Sequence, residues 1–299
     1  MAILEADEDD DILGEEDLAD EFADPLVDYD RGSIAVYDGD LMVAYNTVMS
    51  ASTAEPVHEM RQHGGVRLEY RGRGLGCDLL DWSERVAPVL HEERFPGQPM
   101  TLGAGCLATN ASAMTLFADH GYRQSRWFHQ MTRDLSADLS QPELPEGVEF
   151  AGFSDANSAD ALFVRNEAFR DHWSPSDTTP ESWAFHLRLR TFRPEYSFIA
   201  YLDGEPIGLV LAHEYEAYNK AKGIRDLYIP QVATRRAGRK RGIASALLTT
   251  TLTAAKADGF DTATLDVDAD SPTGAVGLYQ RLEFAVRDTK IAHRKSLPA

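Results

Sequence analysis

The chain has 299 residues, 43% of them hydrophobic, and a formal net charge of −20. That length suffices for two ordinary cores, no apolar run is long enough to span a membrane, and the acidic balance argues against a nucleic-acid partner. Two cysteines, Cys77 and Cys106, make neither a disulfide framework nor a metal-ligand pattern, so the expected home is a reducing cytoplasm and no metal site is expected.

Residues 1–30 hold fourteen Asp or Glu and no Lys or Arg, leaving −6 for the other 269 residues. This head shows no basic and apolar export signal. It is expected to be solvated, with docking to a basic partner as the alternative. A short helix falls within 13–30. A hairpin runs from 33 to 49 around Asp38-Gly39, because Asp-Gly between apolar runs favours a tight turn. A strand near 58–68 leads into a glycine loop. The apolar face of Leu75, Leu79, Leu80, Trp82, Val86 and Leu90 predicts a helix over 74–93. Leu102–Leu107 reads as a buried strand, Asn110 caps a helix through His120, and 126–135 is a strand.

Pro142, Pro145 and Gly147 mark residues 137–147 as a linker between an N-terminal domain, 1–136, and a C-terminal domain, 148–299. The second domain is expected to run strand 148–153, helices 155–170 and 180–192, and strands 196–202, 206–217 and 224–233. Helix 240–257, strand 262–267, helix 272–282 and a terminal strand complete it. The fold class is mixed α/β in both halves. The second half has a strand and two helices ahead of its hairpin, whereas the first has only the acidic head.

The halves repeat one another. Arg71-Gly72-Arg73-Gly74-Leu75-Gly76 is followed by Asn110 to Tyr122, and Arg239-Lys240-Arg241-Gly242-Ile243-Ala244 by Ser271 to Phe284. Gly39 and Gly204 are 165 apart, Gly74 and Gly242 168 apart, and Phe117 and Tyr279 162 apart, in one order. Two unrelated domains with similar turns would not be expected to agree this closely.

Each loop opens a helix. A helix start offers unpaired N–H groups and partial positive charge, glycines admit a phosphate to the backbone, and arginines add charged hydrogen bonds. The alternative is a basic, solvated helix start. Neither loop has the spacing of a dinucleotide fold or a P-loop, so a pyrophosphate-bearing ligand is expected without triphosphate chemistry.

Gln231 to Leu248 resembles the acetyl-CoA loop of the GNAT superfamily of N-acetyltransferases, and Leu265 to Phe284 its following strand and helix. Val66–Gly76 and Asn110–Tyr122 resemble the same parts again, and the whole chain beyond residue 30 is similar to tandem members of that superfamily. The resemblance implies, in each half, a splayed mixed sheet flanked by helices that holds acetyl-CoA in its cleft. It places Val232, Ala233 and Thr234 along the pantetheine arm and Arg239, Lys240, Arg241, Gly242, Ile243, Ala244 and Ser245 at the pyrophosphate. Val66, Arg67 and Leu68, and Arg71, Gly72, Arg73, Gly74, Leu75 and Gly76, would be their counterparts. The second loop sits two residues further from its valine than the first (232 to 239, against 66 to 71). Ser271 and Glu283 replace the family's usual Asn and Gly, which the first half keeps as Asn110 and Gly121.

In this family a tyrosine on the last helix commonly protonates the leaving thiolate. Tyr279 stands there, and the first half has Phe117. A phenol is protonated at neutral pH. Six residues before Val232 is Asp226, and six before Val66 is Met60, which makes Asp226 the candidate base. Glu214 or Glu216 on the preceding strand could share that task, and each of these acids could equally be structural. The second half is therefore expected to be catalytic. Glu167, His172, Trp173 and Glu214 are candidate acceptor contacts, with ordinary packing as the alternative. The expected reaction is acetyl transfer to a small-molecule amine such as an aminosugar thiol or aminoglycoside, by a monomer or homodimer. A non-catalytic acyl-CoA sensor and a protein or peptide acetyltransferase are the alternatives.

Overall fold

A computed structural model describes residues 12, 14–24, 27–51, 53–54, 57–139, 144–170 and 177–297. They divide into two compact units. One comprises the residues up to Phe128 together with those from Asp288 onward, and the other is His129–Arg287. The expected boundary at 137–147 is displaced because two strands pair outside their own half of the sequence.

The first unit contains α1 (Glu15–Glu21), α2 (Tyr29–Gly32), β1 (Ser33–Asp38), β2 (Leu41–Ser50), β3 (His58–Val66), α3 (Leu75–Arg94), β4 (Met100–Leu107) and α4 (Ala111–Asp119). It also takes residues 123–128 of β5 (Arg123–Asp134) and 288–297 of β11 (Ala285–Leu297). β1, β2 and β3 are antiparallel neighbours, β3 and β4 run parallel, and β11 pairs antiparallel with β4 from Lys290↔Leu107 to Leu297↔Met100. The terminal strand, expected in the second half, thus completes the first sheet. Met60, Leu102 and Val48 meet Leu80 and Ala87 of α3 and Phe117 of α4 in the core. Asn110 caps α4 as expected, its Oδ1 accepting the Ala113 N–H at 3.0 Å.

The second unit contains the remaining residues of β5, then β6 (Val148–Gly152), α5 (Ser158–Phe169), α6 (Pro180–Arg188), β7 (Phe198–Leu202), β8 (Glu205–His213), α7 (Glu216–Lys222), β9 (Asp226–Thr234), α8 (Ile243–Ala257), β10 (Thr262–Asp268) and α9 (Ala275–Arg281). Its strands lie in the order β5-β10-β9-β8-β7-β6. β8 is buried from Pro206 to His213, with Ile207 and Val210 in the core cluster of α8 and Leu209 and Leu211 in that of α5 and α6. A Cβ on Gly208 would lie 2.9 Å from Ile243 and Leu247, so this glycine lets α8 sit down on the strand. Thr179 caps α6 and Pro180 opens it.

One element was not anticipated. The strand expected to reach residue 217 stops at His213, and Glu216–Lys222 forms α7. Lys220 and Lys222 lie in its last turn and Gly223, at φ 66°, ends it. Among the described residues the first unit has no counterpart of β6. No described helix is long and apolar enough to cross a membrane, and no described group of three or more His, Cys, Asp or Glu could hold a metal ion.

Candidate active site

The two glycine loops are built alike. Arg71 Nε donates to the Val66 carbonyl at 3.0 Å, and Arg239 Nε to the Thr234 carbonyl at 3.2 Å. Gly72 and Lys240 both have positive φ (73° and 62°), as do the helix-capping Gly74 and Gly242 (90° and 80°). Lys240 holds a conformation that glycine adopts without strain. These pairs share the single offset of 168, so the counterpart of Val66 is Thr234 rather than Val232. From Val66 to Arg71 and from Thr234 to Arg239 the spacing is the same, so the two loops do not differ in length. The corrected register sets His58, not Met60, opposite Asp226, and Met60 opposite Tyr228.

In each unit two parallel strands begin paired and then part. β3 and β4 pair from His58↔Met100 to Arg61↔Gly103, and β9 and β10 from Asp226↔Thr262 to Tyr228↔Thr264. Beyond Arg61 the first unit holds a cavity of about 570 Å³. Gln62–Val66, Arg71, Gly72, Gly74, Leu75 and Gly76 line it, with Phe117 and Asn110 of the last helix. Arg67, Leu68 and Arg73 do not. Arg67 Nε donates to the Met42 carbonyl, Leu68 faces outward, and Arg73 lies over the Tyr70 ring.

The second unit differs in two respects. β8 and β9 pair one for one from Gly208↔Thr234 to Leu211↔Gln231 and resume at His213↔Tyr228, so β9 carries one extra residue across Ile229 and Pro230. Such a bulge takes backbone out of the ladder beside the place where the strands part. β3 has none, pairing with β2 in constant register from Ala44↔Val66 to Ser50↔Met60. Gln231 Oε1 and Thr234 Oγ1, on the parted stretch of β9, are buried without hydrogen-bond partners among the described residues. At the loop, the Arg239 guanidinium also donates to the Ala168 carbonyl of α5, while Lys240, Arg241 and Gly242 are exposed. Ile243 is buried, and Ala244 and Ser245 are half-buried in the first turn of α8.

Tyr279 on α9 is buried with its ring 6.0 Å from that of Phe284, and its hydroxyl makes no hydrogen bond among the described residues. Burial raises the phenol above its ordinary value, so it keeps its proton at neutral pH. Phe117 packs instead against Tyr122 and His293. Asp226 is buried at the closed end of the strand pair. Its Oδ1 accepts from both Thr262 and Thr264 of β10, and its backbone N–H donates to Asn219. The carboxylate therefore braces β9 to β10. Glu214 lies just past β8, held by Arg193 at 3.0 Å and Arg225 at 2.8 Å. Burial opposes its charge, but the two guanidiniums outweigh it and hold the carboxyl below its ordinary value. Glu216 opens α7 and pairs with Arg193, and Glu167 pairs with Arg170. His172 and Trp173 lie outside the described residues.

Residues 164–284 match the model of the acetyltransferase (GNAT) family. The chain is 30% identical over 260 residues to a mycothiol acetyltransferase of Streptomyces avermitilis, spanning 86% of this chain and 77% of that protein. The chain belongs to the GNAT acetyltransferase family. A second mycothiol acetyltransferase, from Thermobispora bispora, is 30% identical over 88% of this GNAT chain and 83% of its own. Among solved structures, a GCN5-related N-acetyltransferase from Sphaerobacter thermophilus superposes with a TM-score of 0.81 at 27% identity, covering 100% of this chain and 90% of that one. A tandem GNAT protein from the clavulanic acid biosynthesis pathway shares the fold at 13% identity, with a TM-score of 0.67 over 99% and 93% of the two chains. This GNAT chain is accordingly an N-acetyltransferase of tandem architecture.

Sequence reasoning missed a polar cluster on the wall of the first cavity. Asn46 donates to Gln62 at 3.1 Å and to Ser83 at 2.6 Å, and Gln62 donates to the Tyr122 hydroxyl at 2.7 Å. The available signal was an amide at an inward position of β2.

Proposed function

We propose that the protein moves an acetyl group from acetyl-CoA to the primary amine of a small molecule, with the transfer carried out in the second unit. The observation carrying this reading is the parting of β9 from β10 after Tyr228, beside the β9 bulge, in the unit whose Tyr279 hydroxyl makes no hydrogen bond among the described residues. The orphaned Gln231 and Thr234 oxygens fit a ligand rich in amides, and the Arg239–Ser245 loop fits a pyrophosphate. Acetyl-CoA supplies an activated acyl thioester when bound. Tyr279 Oη holds a proton that a departing thiolate can take. Within the bulge Ile229 offers the N–H that could donate to an acyl oxygen, since Pro230 has none. Asp226 would take the amine proton through a relay, because it is buried at the closed end of the strand pair, away from the stretch where the strands part. The relatives named mycothiol acetyltransferase favour an aminosugar thiol as acceptor.

The first unit supports binding without transfer. It has an open cavity under its glycine loop, but Phe117 replaces the phenol and β3 lacks the bulge. The test is thiol release from acetyl-CoA in the presence of a panel of amines. Amine-dependent release supports the reading, and tight acetyl-CoA binding with no release for any amine leaves an acyl-CoA sensor.

A further inference from the structure

A row of rings crosses the second unit and ends where its strands part. Phe192 and His213 lie 5.7 Å apart, His213 and Tyr215 stack at 6.4 Å with 20° between planes, and Tyr215 meets Tyr228 at 6.0 Å. Tyr228 is the last residue of β9 paired with β10. Its hydroxyl donates to Asp266 Oδ2 at 2.8 Å, two residues further along β10. Burial, with the nearby charges of His186 and Arg193, pushes His213 down to about 4, so the row is uncharged at neutral pH. Ala263, Leu265 and Val267 of β10 point into the core, and the alternation puts Thr264 and Asp266 on the other face. Asp226, bonded to Thr264, shares that face. The face thus combines two half-buried phenol rings with an exposed carboxylate at their end and a buried one behind it.

Ring faces pack against the C–H face of a saturated ring and attract cations, and a carboxylate accepts from hydroxyl or ammonium groups. From this juxtaposition we infer that Tyr215, Tyr228 and Asp266 form the acceptor subsite, selecting a cationic, polyhydroxylated ring amine of the amino-sugar class. The inference rests on the proposed acetyl transfer for its role, but the binding site can be tested without turnover. Tyr215 and Tyr228 contact the ring, and Asp266 recognises charge, oriented by the Tyr228 hydroxyl.

The experiment is calorimetric titration of the full chain with glucosamine and with uncharged N-acetylglucosamine, in wild type, Asp266→Asn, Tyr215→Leu and Tyr228→Phe. Melting curves confirm that each variant is folded. Wild type should prefer glucosamine by about tenfold or more. Asp266→Asn should abolish that preference, Tyr215→Leu should weaken both sugars, and Tyr228→Phe should reduce the preference while keeping the ring contact. An undiminished preference in Asp266→Asn, or no binding of glucosamine to wild type, overturns the subsite. If other amines are acetylated while glucosamine fails to bind, the subsite falls and the transferase reading stands. If glucosamine binds in an Asp266-dependent way while no amine is acetylated, the subsite stands and the transferase reading falls.

Discussion

Replacing Tyr279 with Phe removes one oxygen and leaves the ring in the core of the second unit. The residue is buried and its hydroxyl makes no hydrogen bond among the described residues, so its loss breaks none. Tyr279→Phe should therefore melt within a few degrees of wild type, since about 1 kcal/mol corresponds to about 2–4 °C for a unit of this size. Catalysis should fall steeply. Loss of a general acid lowers kcat by about 10²–10⁴-fold, while the retained ring leaves the KM for acetyl-CoA unchanged. Because burial raises this phenol, its proton stays on through pH 9, and wild type should show no alkaline loss of rate from Tyr279 below that pH. Thiol release at pH 7 and pH 9, run beside melting curves, reads all three quantities. Unchanged turnover would remove Tyr279 from the chemistry, and a drop of several degrees would show that the hydroxyl has a structural partner.

Calorimetry with acetyl-CoA should give two sites per chain; Gly74→Glu and Gly242→Glu should each remove one, and only Gly242→Glu should stop turnover, while loss of turnover in Gly74→Glu alone would move the chemistry to the first unit. Asp226→Ala removes the shared acceptor of the Thr262 and Thr264 hydroxyls, though Thr264 keeps its bond to the Thr132 hydroxyl, and should cost about 1–2 kcal/mol, read by urea unfolding; no loss would contradict the bracing role. His58 and His213 are both pushed down to about 4, chiefly by burial, from an ordinary 6.5. The unfolded chain takes up these protons first, so their stabilisation is complete above pH 6.5 and is lost as pH falls toward 4, by about 1.4 kcal/mol per pH unit for each histidine. Denaturant unfolding at pH 7, 6 and 5 should show that slope, and His213→Gln should reduce it.

The repeated loops, the capped α4 and the hairpins were legible because each rests on local chemistry: glycines at positive φ, an Asn cap and Asp-Gly turns. Strand partners were not, because periodicity tells which face of β11 is buried and nothing about which neighbour covers its edge. The extent of β8 was misjudged since Tyr215 and Tyr218 suit a strand as well as a helix, and only Gly223 marks where α7 stops. Asp226 was legible as an acid on the strand before the loop, but its bonds to Thr262 and Thr264 depend on a parallel register that no local motif encodes. The bulge at Ile229 and Pro230 shows in sequence only as a proline late in a strand, which reads equally as a strand end.

The pairing of β11 with β4 sets a timetable for synthesis. β4 is complete at Leu107, but the strand that covers its edge begins pairing at Lys290. At a translation rate of about 5–20 residues per second, that edge stays open for about 10–40 s. A strand edge uncovered for so long invites pairing with a neighbouring chain. Gly103 and Gly105, which interrupt the apolar run of β4, make it a poorer template for such pairing while the ribosome finishes the chain.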